Sequence, residues 1–156
     1  MRPAGSQGAT RIQAVLGSRF RVLEFEQSTH SSAEAAAAIG CEVAQIAKSM
    51  MFQAADGRPV LVVASGSNRV DEKKVAALLG QKVKRADPDF VLASSGTPVG
   101  GVSPVGHVVA PATLLDRDLQ QFTTVWAAAG SPFAVFELTP QDLARLTGAE
   151  FVDVAK

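Results

Sequence analysis

Tyrosine is absent from the sequence, tryptophan and cysteine occur once each, and histidine occurs twice. A lone thiol, Cys41, excludes an intrachain disulfide and a multi-cysteine zinc site, and it fits a reducing cytoplasm. Two histidines, His30 and His107, with no HExxH pattern, fall short of a familiar zinc triad, so neither a metal nor a cofactor is expected. No GxSxG elbow is present. The scarcity of aromatics leaves no evident platform on which bases would stack. No stretch of about 18 apolar residues exists, which excludes a helical membrane span. Arg11, Gln13 and Ser18 interrupt the first twenty residues before a signal-peptide core can form, so a cytoplasmic protein is expected. Charge of one sign is missing too: 15 basic and 15 acidic residues cancel. That balance argues against a dominantly electrostatic nucleic-acid binder and leaves room for a local basic face.

Apolar residues make up 47% of 156 positions, enough for one domain with a real core. Residues 1–8, rich in Gly, Pro and Ser, are expected to fray ahead of a single domain over 9–156. Helices are predicted over Ala9–Leu16, Ala33–Ile39 (capped by Ser31 or Ser32, stopped by Gly40), Val70–Leu79 with Val75, Leu78 and Leu79 inward, Pro88–Ala93 and Pro140–Leu146. Strands are predicted over Arg21–Glu26, Ile46–Gln53, Pro59–Ala64, His107–Ala110, Leu114–Asp116, Thr123–Ala128 and Phe133–Leu138. Asp56-Gly57 marks a hairpin turn. Interleaved helices with hairpins in the middle and at the end imply an α+β fold, a mixed and mostly antiparallel sheet flanked by helices.

Lys48 stands out, because Ile46–Phe52 (IAKSMMF) is otherwise mostly apolar. A lysine is costly to bury unpaired, so it either snorkels to water from a strand edge or serves as a fixed cation in a cleft. Strand alternation places Lys48 with Met50 and Phe52, and Ala47, Ser49 and Met51 on the other face. Gly96–Gly106 (GTPVGGVSPVG) is dense in glycine and proline. Such a loop either makes a tight connection or aims backbone N–H groups at an oxyanion. It lacks the GKS or GKT ending of a phosphate loop. His30 sits in a polar loop entering a helix, as a surface residue or a cleft wall, and Cys41 reads as a structural thiol. Arg69–Arg85 carries six cations, Arg69, Lys73 and Lys74 among them, against two acids, which is either a solvated face or a docking site for phosphates.

Taken in order, THSSAEAAAAIG (29–40), QIAKSMMF (45–52), VLVVA (60–64), NRVDEKKVAALLG (68–80), GGVSPVGH (100–107), VWAAAG (125–130) and FELTPQDLARLTG (136–148) resemble the YbaK family. This is the aminoacyl-tRNA deacylase domain also found inserted in some bacterial prolyl-tRNA synthetases. The resemblance implies a free-standing hydrolase that deacylates mischarged tRNA, such as tRNA(Pro) carrying Ala, Cys, Ser or Thr. Its partner is aminoacyl-tRNA; association with prolyl-tRNA synthetase and the choice between monomer and homodimer stay open. Lys48 would anchor the terminal adenosine's phosphate or the ester. Backbone N–H groups around Gly101 and Val102 would hold the carbonyl, and Pro104 would shape the loop. His30, Met50, Phe52, Ser65, Ser67, Gly100 and Ser103 would line the substrate site, while Arg69, Lys73 and Lys74 would meet tRNA. Water, helped by the substrate's ribose hydroxyl, would be the nucleophile. Some family members carry an early-strand tyrosine where this chain offers only Phe25, which bears on substrate choice. Two other readings remain: a non-catalytic binder of tRNA or a synthetase, and a small-molecule enzyme using Lys48 as a Schiff-base amine.

Overall fold

A computed structural model describes residues 1–156. Five helices surround one sheet: α1 (Gln7–Leu16), α2 (Ser32–Ile39), α3 (Glu72–Leu79), α4 (Pro88–Ser95) and α5 (Pro140–Thr147). The strands are β1 (Arg2–Pro3), β2 (Val22–Glu24), β3 (Ile46–Ala54), β4 (Pro59–Ser65), β5 (Val83–Arg85), β6 (Ala112–Asp116), β7 (Val125–Ala128), β8 (Ala134–Leu138) and β9 (Phe151–Val152). Their order is β1-β2-β8-β7-β3-β4-β6-β9, with β5 beside β3. Pairing is antiparallel except where β3 meets β7, β4 meets β6 and β6 meets β9. This is the α+β, mostly antiparallel architecture that the sequence implies. No helix is long and apolar enough to cross a membrane.

Local chemistry sets the boundaries. Ser31, Asp71, Asp87 and Thr139 cap α2, α3, α4 and α5 with side-chain oxygens, and Gly40, Gly80, Gly96 and Gly148 end them in left-handed conformations. Each such N-cap is worth about 1 kcal/mol. The apolar run of β4 is buried along its whole length, as a central strand requires. One face of the sheet joins Met51, Leu61 and Val63 to Ile12 and Phe136. The other joins Phe52, Val60 and Val62 to Val75 of α3.

Several expectations are corrected. His107–Ala110 forms no strand, because a bend there carries the chain to a bond from the Val109 N–H to the Ser94 carbonyl. Leu78 is exposed, since α3 turns only the side of Val75 and Leu79 toward the sheet. The first residues, expected to fray, have fixed partners here. Arg2–Pro3 pair with Leu23 and Glu24, and the buried Glu24 carboxylate accepts from the Gly5 and Ser6 N–H groups at 2.8 Å. Those two bonds hold its pKa below the ordinary carboxylate value. The short strands β5 and β9 carry no sequence signal of their own.

Candidate active site

The site begins with an interruption in β3. Along one edge β3 pairs with β4 from Ala47 to Gln53. Along the other it meets β7 only at Ile46 and Ala47, and β5 only from Phe52 to Ala54. The Ile46 carbonyl accepts from Gly66 and the Ala54 N–H donates to Arg58, so even-numbered residues turn their backbone bonds toward β4. The N–H and C=O of Ser49 therefore face the opening between β7 and β5. Its hydroxyl is buried with no hydrogen-bond partner.

A cavity of about 520 Å³ occupies this opening, within the range of small-ligand sites. Its floor is the free edge of β3, Ile46 to Met50. One wall is Thr29–Ala33 at the start of α2, held in place by Thr29, whose N–H and hydroxyl both donate to the Pro132 carbonyl. Gly66 lets α2 come close: a Cβ there would sit 2.9 Å from the Ser32 Cβ and 2.4 Å from the Val43 carbonyl oxygen. Trp126, Ala128, Ser131, Pro132 and Val135 form the opposite wall. Val99, Gly100 and Val102 of the glycine-rich loop complete the roof.

Lys48 is the single cation reaching this cavity, and no carboxylate lines it. Its Nζ donates to the Asn68 carbonyl at 2.7 Å. Asn68 is fixed in turn, its amide donating to Asp116 at 2.9 Å and Asp118 at 2.7 Å. Asp116 is buried and also accepts from the Ser65 and Asp118 N–H groups. Burial pulls the Lys48 pKa below that of a free lysine, opposed by the Asp116 charge and reinforced by Arg85 and Arg69. An ammonium held this way, with protons to spare in a mostly apolar hollow, suits an anion or a polarised carbonyl oxygen.

The structure brings together Lys48, His30, Met50, Gly100 and Val102 around the cavity. His30 is exposed, its ring bonded to the Ser28 hydroxyl at 3.0 Å. The Val102 N–H, in a buried residue, has no acceptor within the protein. Other expected residues stand elsewhere. Phe52 is packed in the core with Val60, Val62 and Val75, and the Ser65 hydroxyl donates to the Ala44 carbonyl. Ser67 is exposed and does not line the cavity. Ser103 is buried with its hydroxyl accepting from Val105, and Pro104 is buried beside it without lining the cavity. Gly101 does not reach the cavity either. Its N–H donates to the Pro98 carbonyl, and a Cβ would lie 2.6 Å from the Ser131 Cα, so its smallness serves backbone against backbone. Of the docking residues, Arg69 and Lys73 are exposed, whereas Lys74 is engaged by Asp153 at 2.9 Å and the Ala155 carbonyl at 2.7 Å.

Sequence reasoning missed Ser49, Trp126 and Ser131. Ser49 keeps the face opposite Lys48 that strand alternation gives it, but along this unpaired length of edge residues of both faces border the same cavity.

An oily hollow beside one fixed cation has the form of a binding site for a small polar group. The model of the aminoacyl-tRNA editing domain matches residues 26–146, and the chain belongs to that family. It is similar to a solved structure described as a candidate trans-editing enzyme for prolyl tRNA synthetase. The TM-score is 0.93 with 40% identity, over 98% of this chain and 99% of the other. It is 37% identical over 136 residues to the uncharacterised YwhH protein of Bacillus subtilis, 86% of this chain and 87% of that protein. It is 30% identical over 138 residues, 86% of this chain and 84% of the other, to EbsC of Enterococcus faecalis, named as a candidate Cys-tRNA(Pro)/Cys-tRNA(Cys) deacylase.

Proposed function

We propose that the protein hydrolyses the ester joining a small wrong amino acid to tRNA, with tRNA(Pro) bearing Ala, Cys, Ser or Thr as the substrate class. The observation that carries this reading is that the Lys48 ammonium and the roof residues Gly100 and Val102 line one cavity without a carboxylate. The apolar walls take the aminoacyl side chain. Lys48 holds the terminal phosphate or the ester oxygen. The free Val102 N–H, rather than that of Gly101, supports the carbonyl as it becomes an oxyanion, an interaction worth 10²–10³-fold in comparable sites, or about 2.7–4 kcal/mol. With no carboxylate in the lining, water attacks with the substrate's own ribose hydroxyl as its aid. A synthetase cannot exclude by binding alone an amino acid differing by a methylene, so a second site has a purpose. Work in trans beside prolyl-tRNA synthetase belongs to the same proposal.

The test is a deacylation panel of tRNA(Pro) charged with Ala, Cys, Ser, Thr and Pro. Acceleration over spontaneous loss is expected for at least one wrong amino acid, with Pro spared. A folded protein that accelerates none of them defeats the reading. The bond from Lys48 Nζ to the Asn68 carbonyl favours the protonated form over a Schiff-base amine.

A further inference from the structure

We propose that Arg11, on α1, is a positioning residue of this site, whose guanidinium ties the neck of the Gly96–Gly106 loop and so sets the roof of the cavity. The consequence for activity rests on the deacylase reading above; the tie itself does not. Nη1 of Arg11 donates to the Gly106 carbonyl at 2.7 Å. Nη2 donates to the Thr97 hydroxyl at 3.2 Å and approaches the Ser95 carbonyl at 3.4 Å. One side chain thus grips both ends of a segment whose middle reaches the cavity through Val99, Gly100 and Val102.

Both ends require glycine independently of Arg11. Gly96 and Gly106 have φ of +79° and +76°, and a Cβ on them would press on Val108 Cγ2 and Ile12 Cδ1, each at 2.9 Å, while the Arg11 guanidinium nitrogens at 3.4 and 3.5 Å would stay in ordinary contact. Arg11 takes part in none of the protein's ion pairs, so its charge is spent on loop oxygens. Charge-assisted bonds from a planar fork hold two strands of chain in fixed relation, which the point charge of a lysine does not reproduce. A compact surface loop closed at its neck is an Ω-loop, and its tip is only as well placed as its ends. The helix that carries Arg11 lies before residue 26, where the family match begins, so this support comes from outside the matched domain.

Hydrogen exchange and kinetics on Arg11→Met and Arg11→Lys decide the matter, Met preserving the apolar stem. Amides of residues 97–107 are expected to exchange about ten-fold faster in both variants, with the sheet unchanged. For deacylation, kcat is expected to fall on the order of 10²-fold while KM for tRNA holds, because a roof displaced by about 1 Å misplaces the donor. Guanidinium at millimolar concentration should partly restore turnover in Arg11→Ala. Unchanged loop exchange overturns the tie. Faster exchange with kcat intact, or a rise in KM alone, overturns the positioning role. Should the unaltered protein hydrolyse no aminoacyl-tRNA, the deacylase reading falls by itself, and the exchange result still judges the tie.

Discussion

Two stretches of β3 divide the labour of the molecule. At Phe52 and Gln53 the strand is bonded on both edges, to β4 and to β5, and Phe52 is buried in the core. From Lys48 to Met50 it is paired with β4 alone, and Lys48 and Ser49 line a hollow instead. One nine-residue strand thus supplies stability toward one end and lines the cavity toward the other.

Phe52→Ala tests the bonded stretch and has the largest expected effect. Loss of a core phenylalanine should lower unfolding free energy by about 3–5 kcal/mol in chemical denaturation, while turnover per folded molecule stays close to normal. A folded variant with no turnover would mean the two stretches are not separable. Lys48→Ala tests the open stretch: kcat/KM for deacylation should fall about 10²–10³-fold with the denaturation midpoint unmoved. Because burial lowers the Lys48 pKa, enzyme-dependent hydrolysis, after subtraction of the spontaneous rate, should decline on the alkaline side at a pH below the ordinary lysine value. A plateau reaching past that value would detach catalysis from the ammonium. The smallest effect belongs to Ser49→Ala. Its hydroxyl is already unbonded, so stability should hold or rise by up to about 1 kcal/mol, whereas deacylation should weaken if that hydroxyl meets the substrate. A clear loss of stability would show that the hydroxyl has a structural partner.

Part of this arrangement was legible in the residues themselves. The unbroken apolar run of β4 announces a central strand. A lone cation in the oily β3 left two readings open, a strand-edge lysine or a cleft cation, and Gly96–Gly106 left a tight connection or a ligand wall. The interruption itself was not legible, because it depends on β7 joining β3 from eighty residues away and on a three-residue β5 that no pattern marks. For the same reason Phe52 was placed at the site beside Lys48: alternation tells which face a residue takes, not which length of an edge is left open; Ser65 was placed there by the family resemblance alone. Gly101 was read as room for a ligand, yet the tight neighbour is the Ser131 backbone, a contact no local pattern reveals.

The opening beside Ser49 carries a hazard of its own. Exposed rungs of a sheet invite foreign strands, and proteins generally blunt them with charge, twist or a cover. Here part of the cover is the arch that runs from Gly96 to Gly106, whose Val99, Gly100 and Val102 roof the hollow, so the segment that shapes the pocket is also expected to guard the fold against self-association. Shortening that arch would therefore be expected to send the protein toward aggregates as well as to idle it.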